Sequence, residues 1–287
     1  MTTLNSLHSD RMQCMEVWGG NAQVSRNFQV PGLDVWVNSR PYADAVSGGD
    51  VYYVSSCASG RITRLLLADV SGHGQAVADA ARCLRDLMRK NINLVNQTRF
   101  VQAMNRQFTE QPDPTLFATA LVCTFFAPTG SLQFCNAGHP PAMLYRARER
   151  RWVSASDVAH IQNKSAASDV PLGVLRETEY SKFKTKLAPG DMMMCVSDAF
   201  IEACDSTGKL LGVRGLLDLV QNLSASNPAE IIPQIQEHIT RQHQENLQQD
   251  DASILLFRAD GTHSTLASDL LAPMRLFTGV RDSTDIG

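Results

Sequence analysis

The order of elements along this 287-residue chain predicts an α+β fold, with largely antiparallel sheets and helices packed outside them. Three observations carry that reading. Strands come in runs, give way to two helices, and return before two further helices and a last strand, which is not the βαβα alternation of a doubly wound sheet. The apolar period changes from two to between three and four at Gly74. No internal repeat, low-complexity tract or Pro/Ser-rich linker divides the chain, so one domain is expected.

Residues 1–32 are mixed in character and read as an N-terminal extension. Strand-like alternation begins with Leu33, Val35 and Val37, and strands at 51–56 and 62–70 follow, separated by the turn-prone Ala58, Ser59 and Gly60. From Gly74 onward Val77, Ala80, Ala81, Leu84, Leu87 and Met88 recur at helical spacing towards Leu94. A second helix, 98–108, ends before Pro112 and Pro114. Strands return at 117–126 and 132–135 around a turn of Pro128, Thr129 and Gly130. Strands at 143–145 and 152–153 flank a charged loop. A hairpin pairs 182–187 with 192–196 through a turn holding Pro189 and Gly190. Asn227, Pro228 and Glu230 stand in the order of a helix start, and Pro233 either kinks that helix or delays its regular part. The last strand is 254–257, and the tail, 259–287, shows no period.

Composition narrows the partners. Apolar residues make up 44% of the chain and charged residues 19%, with a formal net charge of −3. No global basic field is present to hold a nucleic-acid backbone or an anionic membrane, so neither is expected as a partner. The longest apolar runs are far shorter than the roughly 20 residues of a membrane helix. The first sixteen residues are too polar for a signal peptide, which makes the cytoplasm the expected compartment. Seven cysteines without a C-x-x-C pair, and seven scattered histidines, suggest neither a zinc site nor a disulfide scaffold.

Four acidic positions share a peculiarity. Asp50 opens a strand after Gly48 and Gly49, Asp69 closes the apolar run from Leu65, Asp198 follows the run from Met192, and Asp250 with Asp251 precedes the final strand. Asp is a poor strand residue, and singly each suits a turn. Together they suit hard divalent cations, which prefer oxygen ligands. A dinucleotide-binding reading of Gly72 and Gly74 competes, but Val77 occupies the third glycine position and Asp69 would repel a pyrophosphate. No phosphate-binding G-x-x-x-x-G-K-[ST] occurs.

Gly48-Gly49-Asp50, Asp69-Val70-Ser71-Gly72-His73-Gly74, Phe117-Ala118-Thr119-Ala120, Asn136-Ala137-Gly138-His139-Pro140-Pro141, Pro171-Leu172-Gly173, Pro189-Gly190-Asp191, Ser197-Asp198 and Asp250-Asp251 occur in one order. This ordered set resembles the stage II sporulation protein E branch of the metal-dependent protein phosphatase (protein phosphatase 2C-like) superfamily, over residues 33–258. The resemblance implies a four-layer α-β-β-α sandwich with a metal centre at one end. It also implies that Asp50 and Asp69 are catalytic and hold a pair of Mn²⁺ or Mg²⁺ ions with the main-chain carbonyl of Val70, and that Asp198 and Asp250 complete one shell. Asp251 is the less expected ligand of its pair. Gly72 and Gly74 would let the backbone turn tightly beside the ions. His73, Asn136 and His139 are near-site candidates, whereas Thr119 and Glu202 match family positions in structural roles.

The chain departs from the family pattern in two places. Ala199 stands where a glycine usually follows the third acid, and Tyr53 stands where a second acid often follows the first. A positive φ at Ala199 would cost about 1 kcal/mol and could shift Asp198. The run from Met192 to Ala203 keeps a strand-then-turn pattern that Ala can join, however, so a negative φ is expected. The implied function is hydrolysis of a phosphoserine or phosphothreonine protein by a water bridging two ions, needing no Cys or Ser nucleophile. By family analogy the substrate would be a phosphorylated anti-sigma-factor antagonist in bacterial signalling. The rivals are a pseudophosphatase that binds a phosphoprotein without turnover, and an unrelated metal-dependent hydrolase of small phosphoesters.

Overall fold

Runs that are apolar at every position must bury both faces, and in a layered protein this places them in central strands. The computed structural model describes residues 10–12, 16–57, 60–72, 74–162, 169–262 and 281–282. Its strands are β1 (Asp10–Arg11), β2 (Glu16–Gly20), β3 (Val24–Val30), β4 (Leu33–Arg40), β5 (Asp50–Cys57), β6 (Ile62–Val70), β7 (Ala118–Phe126) and β8 (Ser131–Ala137). They continue with β9 (Met143–Arg146), β10 (Arg151–Ser154), β11 (His160–Gln162), β12 (Lys182–Lys186), β13 (Met192–Val196), β14 (Ala252–Ala259) and β15 (Arg281–Asp282). The helices are α1 (Gln75–Lys90), α2 (Gln97–Phe108), α3 (Ala155–Val158), α4 (Asp198–Ile201), α5 (Gly212–Gln221) and α6 (Pro228–Gln242).

Two sheets form. The first has the order β1-β3-β4-β14-β13-β9-β10 and the second β11-β12-β8-β7-β6-β5-β2-β15. Pairing is antiparallel apart from the two-residue edge pairs β1–β3 and β15–β2. Leu65 and Leu67 of β6 face the other sheet, whereas Leu66 and Ala68 face α1 and α2. On the first sheet Leu255 and Phe257 of β14 point into the sandwich, while Ile254 and Leu256 pack with Leu216, Val220, Ile235 and Ile239 of α5 and α6. Three apolar layers therefore separate four layers of structure, the α-β-β-α sandwich expected. Arg64 is the exception inside β6. Fully buried, it donates to the Leu94 carbonyl and to Thr124 Oγ1 and lies 4.2 Å from the Phe100 ring centroid, pinning the α1–α2 connection to the sheet.

The sheets take in residues N-terminal to 33, where the sequence pattern marks no strand. β2 pairs with β5 and β3 with β4. Their signal is weak because β3 is exposed at alternating or adjacent positions until Phe28 and Val30. α6 runs through Pro233, which lies in its second turn, and Asn227 caps it by accepting the Ala229 N–H. None of the six described cysteines is in a disulfide; Cys14 lies outside the described residues. Among the described residues no helix is long and apolar enough to cross a membrane.

Candidate metal centre

In the second sheet β5 begins where β6 ends, so antiparallel pairing sets Asp50 directly opposite Asp69. Directly opposed side chains have Cβ atoms about 4.5–5.5 Å apart, and like charges so placed repel. Asp50 is only 2% exposed, and among the described residues neither of its carboxylate oxygens has a hydrogen-bond partner. The hydroxyls of Ser253 and Ser197 stand close enough to ease its charge, but Ser253 Oγ donates to Ser39 Oγ at 2.7 Å and Ser197 Oγ is directed at the Asp251 carbonyl. Burial first, then Asp69, pushes the Asp50 carboxyl well above the usual range.

The first sheet supplies the rest. β13 runs into Ser197 and Asp198, and its antiparallel neighbour β14 runs out of Asp250 and Asp251, so both pairs emerge at the same end. Burial, then Asp198, Asp250, Asp251 and Glu202, push Asp69 up to about 7. Burial, then Asp250 and Glu202, push Asp198 up to about 6, against backbone amides at the start of α4. Asp69 thus feels the acids of the other sheet, and Asp50 feels both Asp69 and Asp251. Among the described residues no three His, Cys, Asp or Glu side chains gather tightly enough to enclose one ion; the acids stand as an opposed pair and an outer pair. A buried carboxylate without a donor, facing a second carboxylate, is accounted for by a cation that prefers oxygen. The residues fit divalent metal.

Asp251 does different work from Asp250. Its carboxylate accepts the backbone N–H groups of Tyr42 at 2.6 Å, of Gly49, and of Asp50 at 3.2 Å. A residue of the first sheet thereby holds the start of β5 in the second. Gly48 and Gly49 are small for this reason: a Cβ on Gly48 would collide with the Asp251 carboxylate, and one on Gly49 would meet the Val70 carbonyl oxygen at 2.7 Å. Asn21, which sequence reasoning missed, donates from Nδ2 to the carbonyls of Gly48 at 2.8 Å and of Ala78 at 3.1 Å, tying this turn to α1. Nothing in the local pattern marks it. Gly72 and Gly74 have φ of +99° and +94°, a turn that side chains resist. His73 lies outside the described residues.

Next to Asp69, Thr119 pairs across β6 and β7, and its Oγ1 lies 2.9 Å from His139 Nδ1. Asn136 closes a turn onto the His139 N–H at 2.7 Å and its carbonyl at 2.8 Å. Burial holds the His139 imidazole down to about 3, so it is neutral at pH 7. These contacts give Asn136 a positioning role in the loop. Tyr53 is buried in the layer beneath α1 and α2.

Ala199 is helical, within α4, and φ is not positive there. The departure from glycine is absorbed by a short helix that begins after Ser197 and gives Ala199 a helical backbone. Ala199→Gly is therefore expected to leave Mn²⁺ affinity within about twofold of wild type in a calorimetric titration. A tenfold gain, about 1.4 kcal/mol, would show that Ala199 weakens the site.

Two antiparallel sheets with outer helices thus carry acids of both sheets at one end. The model of the family "Stage II sporulation protein E (SpoIIE)" matches residues 59–260, and the chain belongs to that family. It is 22% identical to the phosphoserine phosphatase RsbU of Bacillus subtilis over 263 residues, covering 89% of this chain and 73% of RsbU. Among solved structures, the RsbU and RsbW domains of Rv1364c from Mycobacterium tuberculosis superpose with a TM-score of 0.64 at 22% identity, covering 90% of this chain and 71% of that one. The phosphatase domain of SpoIIE from Bacillus subtilis, with a fragment of its regulatory domain, superposes with a TM-score of 0.66 at 15% identity, covering 87% and 70%.

Proposed function

We propose that the chain removes phosphate from phosphoserine or phosphothreonine in a protein, using two Mn²⁺ or Mg²⁺ ions held by Asp50, Asp69, the Val70 carbonyl, Asp198 and Asp250. The observation that carries this reading is Asp50: buried, without a donor, and opposite Asp69. When bound, the ions would supply a water of lowered pKa and neutralise charge on the phosphoryl oxygens. The chain's own part is electrostatic and positional. Asp50 and Asp69 concentrate negative charge at one point, Asp251 fixes the backbone that carries Asp50, and Gly49 leaves room for the Val70 carbonyl. Thiolate chemistry is a poor alternative, because burial pushes the thiols of Cys123 and Cys135 up. We assign the activity to residues 33–258 together with the strands β2 and β3 that complete the sheets.

The name of RsbU as a phosphoserine phosphatase supports a phosphoserine protein as the test substrate, and a phosphorylated anti-sigma-factor antagonist is the natural first choice. Phosphate release is expected with Mn²⁺ and is expected to cease with EDTA. Binding of the phosphoprotein without release in Mn²⁺ would instead establish the pseudophosphatase.

A further inference from the structure

The rim of the carboxylate centre carries an apolar patch that the chemistry does not need. Phe117, Val174 and Leu175 are 40%, 50% and 53% exposed. Hydrogen bonds tie Phe117 to the strand end that carries Asp69. Ser71, two residues after Asp69, donates its N–H to the Phe117 carbonyl at 2.9 Å, and the Phe117 N–H donates to Ser71 Oγ at 3.1 Å. Ala118 and Leu172 exchange both backbone hydrogen bonds at 2.8 Å, which lays the segment 171–176 beside 116–118.

That segment is held in place. Asn105 of α2, fully buried, accepts the Gly173 N–H at 3.0 Å and donates to the carbonyls of Leu175 at 2.7 Å and Arg176 at 3.0 Å. Thr178 Oγ1 donates to the Leu175 carbonyl as well, at 2.9 Å. Gly173 has φ of +94°, and a Cβ there would meet the Leu116 carbonyl at 3.0 Å. A cleft of about 280 Å³ opens alongside, with Leu116 and Val174 in its wall and Asp113 and Arg176 at its polar side. Single exposed apolar side chains are ordinary, but adjoining ones on a loop fixed by a buried amide form a surface prepared for a partner.

The geometry also says which partner. Phe117 lies two positions beyond Thr119, the register partner of Asp69, or about 7 Å along the strand. An extended peptide covers that distance in two to three residues. We propose that Phe117, Val174 and Leu175 are the docking surface for the phosphorylated protein substrate, with Phe117 taking an apolar side chain within about three residues of the phosphoserine. This rests on the phosphatase reading above.

The test uses two synthetic phosphoserine peptides of equal length, one with leucine at the three positions on each side and one with serine there, beside p-nitrophenyl phosphate. With Mn²⁺, wild type is expected to favour the leucine peptide by about tenfold in kcat/KM. Phe117→Ser and the pair Val174→Ser with Leu175→Ser should lose that preference through KM, with p-nitrophenyl phosphate turnover unchanged. Ile161→Ser, at an exposed position on the edge strand β11, should keep it. Equal use of both peptides by wild type, a preference retained in the variants, or an equal loss on all three substrates would overturn the proposal. So would variants that change only self-association. If wild type turns over none of the substrates, the phosphatase reading fails, and the surface is judged by peptide binding: preference for leucine lost in the variants supports it, and indifference overturns it.

Discussion

Asp69→Asn is expected to lower Mn²⁺-dependent phosphate release by at least about 100-fold, because loss even of groups that merely orient metal ligands typically costs 10–100-fold. Stability should move the other way. Asp69 faces Asp50 across the β5–β6 register, and burial together with the acids of the other sheet already disfavours its ionised form. Replacing it with a neutral side chain of nearly the same shape removes repulsion, so the metal-free melting temperature at pH 8 should be unchanged or higher. A catalytic defect without a folding defect separates a ligand from a structural carboxylate. Near-wild-type turnover at limiting Mn²⁺ would remove Asp69 from the centre.

Metal-free protein is expected to become less stable as pH rises from about 5.5 to 8, and Mn²⁺ is expected to cancel the loss. The folded-state pKa values of Asp198, about 6, Asp69, about 7, and Asp50, also raised, lie above the unfolded value of 3.8. The folded chain therefore keeps protons that the unfolded chain has released, and stability falls with pH through this window. His139 opposes them, since its folded value of about 3 lies below the unfolded 6.5, so it adds stability as pH rises to 6.5 and nothing above. Three carboxyls outweigh one imidazole. The net loss is on the order of a few kcal/mol, or about 5–10 °C in melting temperature for a chain of this size. A cation that binds only the ionised, folded site restores stability by mass action. Melting curves in EDTA and in Mn²⁺ across this range measure both effects, and a melting temperature that rises with pH in EDTA would contradict the arrangement of charges.

The sandwich was legible wherever burial was two-sided or strictly periodic. β6 spans Ile62–Val70 around the apolar run Leu65 to Ala68, and α1 starts within a residue of the change of period at Gly74. β2 and β3 were not legible. One carries two glycines and the other exposes most of its early residues, so neither produces a pattern that stands out from a loop. The carboxylates were legible as a peculiarity of strand ends, since an acid there conflicts with the apolar run it borders. Their grouping was not, because the contact between Asp251 and the Gly49 amide joins residues 202 positions apart, and local period carries no such information. The same limit hid Asn21 and Asn105, whose side chains act on backbone far away in sequence. At Ala199 the relaxed backbone that the sequence reading expects is the one observed. A four-residue helix begins at Asp198, too short to show a period, and it gives that position an ordinary helical backbone.

The grip of Asp251 on the amides of Gly49 and Asp50 makes the centre a seam. Its acids belong to two halves of the molecule, and one side chain of the first half sets the position of a carboxylate in the second. Neither half holds the site in miniature. On the two-ion reading proposed above, affinity for cations would be acquired when the sandwich closes, not inherited from any segment, and a bound ion would act as a clasp across the two sheets.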